Sequence, residues 1–259
     1  MNLVEIIRGL VSHQKKLDIK YLPSQGLFYP EDLEISIKKA DVEDVIEYEQ
    51  NYDSENVYIV IENIKRVVKK NTRFNKDYEY NIIKSVDIVF LFLEIVKWTQ
   101  CKSIKVPYFN DVVGKVDFVD FGSGTFNYFD YKPFGKSYDD ATRELLVDGY
   151  RVSLPSIGIE DSLTRYLVSK ADHPDSDKWN HYSYDFLYFL GNKNRLSFDE
   201  IDNLITIFNE DIDDSERDRI QKIVTKFVDV IGYSIKKDGK LIEIKSKIDL
   251  ANIWKEEKN

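Results

Sequence analysis

The chain is poor in cysteine, histidine, proline and glycine, and each shortage excludes a class of protein. Its 259 residues include one cysteine, Cys101, with three histidines, six prolines and 11 glycines. A single thiol cannot close an intramolecular disulfide or supply a multi-cysteine zinc or iron-sulfur site. Because 42% of the residues are hydrophobic and chain breakers are few, a disordered or fibrous protein is also excluded. We therefore expect an independently folding protein in a reducing cytosol.

Net positive charge and long hydrophobic runs are also missing. The chain has 37 Lys and Arg against 46 Asp and Glu, which gives a net charge of −9. This balance argues against nucleic acid as a main partner. The most apolar window, residues 86–98, carries three charged side chains, and it is shorter than the roughly 20 apolar residues that span a bilayer. We therefore expect neither a nucleic-acid partner nor membrane insertion.

The spacing of apolar residues divides the chain into four segments. Residues 1–16 have apolar positions at helical spacing and are predicted to form an N-terminal helical extension that docks on a partner. Residues 17–102 predict a strand pair followed by helices. Residues 103–156 alternate in short runs, which predicts a small antiparallel β module, and residues 157–259 predict a helical region with a terminal β-hairpin. Because βαβ alternation is absent, we predict an α+β fold, with helices packed with small antiparallel sheets and without a parallel doubly wound sheet.

Local signals indicate where several elements begin and end. Alternating apolar residues over 17–21 predict the first strand. The apolar window 86–98 predicts a helix at the centre of the core, because its hydrophobic residues cover nearly every face. A capping box formed by Ser197 and Glu200 predicts the start of one helix, and Asp214 predicts the start of the next.

A five-residue string, Leu-Pro-Ser-x-Gly, occurs at 22–26 and again at 154–158. Proline fixes φ and glycine permits a positive φ. Four residues of the two strings are therefore predicted to form structural turns: Pro23, Gly26, Pro155 and Gly158. Contact with a partner is the alternative role of these strings, and shared turn geometry or an internal duplication would each explain the repetition.

Motifs of catalysis and ligand binding are present only in part. The Gly-Lys-Ser string at 135–137 lacks the first glycine of a phosphate-binding loop, and Gly122 and Gly124 do not open a helix. Residues 211–215 begin the spacing of a calcium loop without its glycine and final glutamate, so they are interpreted as an acidic loop that caps a helix. The histidines lack zinc-site spacing, and no nucleophile elbow is present. We expect no enzymatic activity, cofactor, metal or small-molecule substrate.

Aromatic residues concentrate between positions 118 and 134. The set is Phe118, Phe121, Phe126, Tyr128, Phe129, Tyr131 and Phe134. One face of a small sheet needs fewer aromatic side chains than this, and exposed aromatic surface is typical of protein interfaces. We expect core packing to take part of the set and the remainder to form a partner-binding patch, together with the N-terminal helix.

Several elements follow one another in a recognisable order. A Leu-Pro-Ser-x-Gly segment leads to a second strand and an acidic helix (IKKADVEDVIEYE), then to an apolar helix (VDIVFLFLEIVKW) and a small sheet. A second Leu-Pro strand (YRVSLPSIG), an aromatic helix (YDFLYFL), a Ser-x-x-Glu helix and a last hairpin with an apolar tail (DLANIW) follow. This order, over residues 17–254, resembles the baseplate hub family of T-even-like contractile-tailed phages. Many family members carry Cys-x-x-Cys pairs in the small sheet and final hairpin, where this chain has KVPYFND and YSIKKDG.

The resemblance implies a non-enzymatic role in building the central hub of a phage baseplate. It implies either a hub subunit or an assembly chaperone, with baseplate hub or tape-measure proteins as partners. The expected location is the host cytoplasm during assembly, and the virion baseplate if the protein stays in the particle. Three other hypotheses remain open: an early host-directed binding protein, a small cytosolic enzyme without a recognisable motif, and a bacterial protein of a contractile injection system or prophage, which would share the hub role.

Overall fold

The computed structural model of the protein describes residues 14–41, 43–44, 46, 57–100, 104–110, 115–121, 138–170, 184–190, 193–229, 233–237 and 240–244. Within these ranges the chain forms five α-helices, several short 3-10 turns and ten strands, and every strand pair is antiparallel. This arrangement confirms the predicted α+β fold.

The structure describes five α-helices, and the three with a predicted window or start (86–98, Ser197 and Asp214) begin within two residues of it. The five are α1 (Val57–Asn71), α2 (Ile88–Gln100), α3 (Ile157–Lys170), α4 (Phe198–Thr206) and α5 (Asp214–Asp229). The predicted capping box opens α4, with both reciprocal hydrogen bonds between Ser197 and Glu200 formed. Helix α5 is capped by Asp213, one residue earlier than predicted, because its carboxylate accepts from the Glu216 amide at 2.8 Å.

A three-stranded sheet lies at the start of the described chain. Its strands β1 (Gln14–Leu17), β2 (Ile35–Lys38) and β3 (Thr72–Phe74) are ordered β1-β2-β3. The predicted strand over 17–21 is wrong beyond its first residue. A 3-10 turn follows because the Asp18 carboxylate accepts from the Lys20 amide and caps that turn. Positions 14–16 of the predicted N-terminal helix belong to β1, where they pair with β2; positions 1–13 lie outside the described residues.

The second three-stranded sheet comprises β6 (Tyr138–Asp139), β7 (Glu144–Val147) and β8 (Tyr150–Val152), in that order. Two further pairs are hairpins. Strand β4 (Ile104–Asn110) pairs with β5 (Lys115–Phe121), and β9 (Tyr233–Lys237) pairs with β10 (Lys240–Ile244). The alternation of residues along these segments predicted both pairings.

Three clusters of buried apolar side chains form the core. The first joins α1, α2 and the β1-β2-β3 sheet, and α2 contributes Leu91 and Phe92 with no exposed area. The second joins α3, α4 and the 3-10 turn Tyr184–Phe189. The third packs β7 and β8 against α5, and it also takes in Phe28 from the first Leu-Pro-Ser-x-Gly region. The third cluster therefore joins Phe28 to residues that lie more than 100 positions later in the sequence.

Candidate functional site

Both Leu-Pro-Ser-x-Gly segments contact the same short stretch of chain, residues 83–87. In the first segment, the Ser24 amide and hydroxyl donate to the two oxygens of Asp87, at 2.8 and 2.7 Å. The Tyr29 hydroxyl donates to the same carboxylate at 2.8 Å and accepts from the Lys84 amide at 2.8 Å. One carboxylate therefore collects three donors from a single loop.

The second segment holds the same stretch through backbone hydrogen bonds. The Ser85 amide donates to the Pro155 carbonyl at 3.0 Å, and the Ile157 amide donates to the Ile83 carbonyl at 2.8 Å. Residues 84 and 156 also form an isolated antiparallel bridge. We call this arrangement the central clamp, defined by residues 24–29, 83–87 and 155–157.

Three ionisable groups of the central clamp are buried, Tyr29, Lys84 and Asp87, and burial is the largest cause of the pKa shift of each. Burial raises the pKa of Asp87 to about 6, although the hydrogen bonds from Ser24 and Tyr29 and the charge of Lys84 oppose this rise. Burial lowers the pKa of Lys84 to about 8, against the attraction of Asp87. The Lys84 Nζ atom lies 5.9 Å from the centre of the Tyr29 ring. Asp87 and Lys84 expose 0% and 1% of their surface, so solvent and solutes do not reach them.

The predicted turn residues fall in two different settings. Pro23 and Pro155 are buried, and Gly26 adopts φ +72° where an added Cβ would lie 2.8 Å from an Ile19 side-chain carbon. Gly158 is not in a turn, because it is the second residue of α3. Its lack of a side chain permits close packing, because an added Cβ would lie 2.1 Å from the Asn194 carbonyl oxygen.

The predicted partner-binding aromatic residues are largely beyond what the structure describes. In the backbone register of the first hairpin, Phe118 is opposite Pro107 and Phe121 is opposite Ile104. Strand β5 also lies beside β9, so the two hairpins are neighbours. The remaining predicted residues lie outside the described residues: Phe126, Tyr128, Phe129, Tyr131 and Phe134.

A surface cleft of about 450 Å³ opens next to the central clamp. Two stretches of chain line it: Asn194 with Arg195 on one side, and on the other Asp77, Tyr78, Glu79, Asn81 and Ile82. An ion pair joins the two sides, with Arg195 Nη2 2.9 Å from Glu79 Oε2. A volume of this size is within the range of small-ligand sites in proteins.

Sequence reasoning missed both the central clamp and the cleft. The repeated string placed Ser24 and Ser156 in equivalent positions, but it carried no sign that both would meet residues 83–87. Asp87 was visible as a carboxylate inside an apolar window. A buried acid needs donors, and that requirement was the one available signal of the clamp.

Comparison with known proteins finds no matching family model, no matching curated protein and no matching solved structure. Among the helices that the structure describes, none is long and apolar enough to span a membrane. No group of three or more His, Cys, Asp or Glu side chains in the same described residues could hold a metal ion.

Proposed function

We propose that the protein acts by binding other proteins, as a component or an assembly chaperone of the central hub of a contractile-tail baseplate. The observation that carries the proposal is the order of the elements along the chain. Strand β2, helix α2, the β4-β5 hairpin, β8 with the second Leu-Pro-Ser segment, α4 and the β9-β10 hairpin follow one another in the order of the family pattern. Each motif is short, so the shared order is the argument.

The position of the groups with strongly shifted pKa values also favours binding over catalysis. A catalytic acid or base must come within hydrogen-bond distance of its substrate. Asp87 and Lys84 are enclosed by the central clamp, where Asp87 accepts from Ser24 and Tyr29 and ties distant parts of the chain together. Their shifted pKa values therefore have a structural explanation.

Baseplate hub or tape-measure proteins are the proposed partners, and the host cytoplasm is the proposed place of assembly. The test is an affinity pull-down of the tagged protein late in infection, with mass spectrometry of the co-purifying proteins and of purified particles. Enrichment of hub or tape-measure proteins is expected. Stoichiometric presence in particles would identify a structural subunit, and presence only in the pull-down would identify a chaperone. Recovery of host proteins alone would overturn the proposal and favour the host-directed hypothesis.

The aromatic segment supplies a sharper version of this test. Replacing Phe126, Tyr128 and Phe129 by Ala should abolish co-purification of the hub partner while circular dichroism stays unchanged. Tyr21→Ala is the matched control, since Tyr21 is an aromatic residue with 64% of its surface exposed and lies outside the aromatic segment. Retention of the partner by the folded triple variant would exclude the aromatic segment as the contact.

A further inference from the structure

Helices α3 and α4 lie side by side, and one row of α3 side chains makes the contact. The rings of Tyr166 and Phe198 meet edge to face, with their centres 5.6 Å apart. The Tyr166 hydroxyl donates to Asp202, and Lys170 Nζ lies 3.8 Å from the same carboxylate. Residues 166 and 170, which are four positions apart, therefore face α4.

Two further residues of α3 lie on the outer side of this contact. Leu163 is buried in the second apolar cluster. Arg165 lies about 100° from Tyr166 around the helix axis, in the direction away from Leu163, and Val168 comes next on that side. Val168 exposes 69% of its surface, and Phe198 exposes 45%. Two exposed apolar side chains therefore flank Arg165 on one surface.

This surface carries one unpaired charge of each sign. We call it the α3-α4 patch, defined by Arg165, Val168, Phe198 and Asp199. Arg165 and Asp199 are exposed, and within the part of the chain that the structure describes neither of them forms a hydrogen bond or an ion pair. Asp199 directly follows Phe198, so the cation is on α3 and the anion is on α4. On a chain of net charge −9, the charges of this patch balance, and two copies can meet there without net repulsion between them.

A molecule that covers the patch must supply an anion for Arg165 and a cation for Asp199. Covering a charge without a partner is costly, whereas covering exposed apolar side chains is favourable. A two-fold axis places the same surface of two copies face to face, so that each contact occurs twice. With α3 of one copy against α4 of the other, both charges are matched and the apolar side chains are covered.

We propose that the α3-α4 patch is the interface of a symmetric homodimer. Arg165 of each copy pairs with Asp199 of the other, and Val168 of each copy packs against Phe198 of the other. The homodimer does not depend on the baseplate role, because its partner is a second copy of this chain.

The test is sedimentation velocity of the full chain at increasing protein concentration. The unmodified chain should form a species of twice its 30.5 kDa mass. Arg165→Glu places two carboxylates opposite each other at both symmetric contacts, and Asp199→Arg does the same with two guanidinium groups. Each variant should therefore raise the dissociation constant of the dimer at least about tenfold. Asp218→Arg, at an exposed site on α5, makes the same charge change as Asp199→Arg outside the patch and should dimerise as the unmodified chain does.

Mixing the two single variants gives a prediction of opposite sign. In a mixed dimer both contacts join opposite charges again, so native mass spectrometry of an equimolar mixture of Arg165→Glu and Asp199→Arg should show the heterodimer. The chain that carries both substitutions should also dimerise as the unmodified chain does. Because both recoveries need folded chains, they distinguish a lost interface from a lost fold.

Three results would overturn the homodimer. They are an unmodified chain that stays monomeric up to its solubility limit, single variants that self-associate as strongly as the unmodified chain, and a mixture that forms no heterodimer. A monomeric chain would leave the patch to a different protein. These measurements contain no hub protein or host protein, so the homodimer and the baseplate proposal can fail separately.

Discussion

Replacing Asp87 by Ala should destabilise the protein severely, because three donors would lose their acceptor inside the core. These are the Ser24 amide, the Ser24 hydroxyl and the Tyr29 hydroxyl, all within 2.8 Å of the carboxylate. A buried donor left without a partner costs about 1–3 kcal/mol, and loss of one member of a buried charged pair costs about 3–5 kcal/mol. Lys84 would also lose its neighbouring charge. We expect the free energy of unfolding to fall by about 3–5 kcal/mol at neutral pH, measured by urea denaturation followed by circular dichroism.

The pH dependence provides an independent check on the same residue. In the folded protein the pKa of Asp87 is about 6, above its ordinary value of 3.8, so the folded state holds a proton that the unfolded chain releases. This stabilising contribution is complete below the ordinary pKa and is lost as pH rises through about 6. Between pH 7 and pH 5, the unmodified protein should gain about 1.4 kcal/mol relative to Asp87→Asn. The reasoning would be refuted if the difference in unfolding free energy between the unmodified protein and Asp87→Asn were the same at pH 7 and pH 5. It would also be refuted if Asp87→Ala lowered the free energy of unfolding no more than Asp218→Asn, a substitution at an exposed site on α5.

Three further substitutions probe the clamp, the cleft and a helix start. Tyr29→Phe removes one donor to Asp87 and one acceptor for a buried amide, and it should lower the unfolding free energy by about 2–3 kcal/mol; an unchanged urea midpoint would contradict this. Gly158→Ala should lower the free energy of unfolding, measured by urea denaturation, by about 1–3 kcal/mol, because the Asn194 carbonyl must move. Thr164→Ala, on the exposed side of the same helix, should leave this free energy nearly unchanged. Ser197→Ala removes the capping box and should lower the free energy of unfolding by about 1 kcal/mol. Its melting temperature should therefore fall less than that of Gly158→Ala.

Local sequence signals predicted those elements that local interactions determine. The capping box at Ser197 needs only residues three positions apart, and both of its hydrogen bonds are formed. The apolar window that became α2 has hydrophobic residues on nearly every face, which only a core helix can bury. The β4-β5 and β9-β10 hairpins each form from two neighbouring segments, in which apolar and polar residues alternate along the chain.

Contacts between distant residues explain what the sequence did not predict. The short strand β3 exists because its residues pair with β2, over thirty positions earlier, and no local pattern marks it. Gly158 looked like a turn residue, but the reason for glycine there is a carbonyl from residue 194. Tyr21 was predicted to lie in a strand but lies in a 3-10 turn, because the Asp18 carboxylate caps that turn. The central clamp also depends on distant contacts, since Ser24 and Asp87 are 63 residues apart and the bridged residues Lys84 and Ser156 are 72 apart.

The proposal that this chain is a phage baseplate hub protein is tested most directly by electron microscopy of cells infected by a phage from which the gene for this chain has been deleted. If the protein builds the baseplate hub, such cells should accumulate heads and few complete baseplates or tails. Expression of the unmodified protein in the host should restore tailed particles. Normal numbers of infectious, fully tailed particles in the absence of the protein would contradict a role in hub assembly.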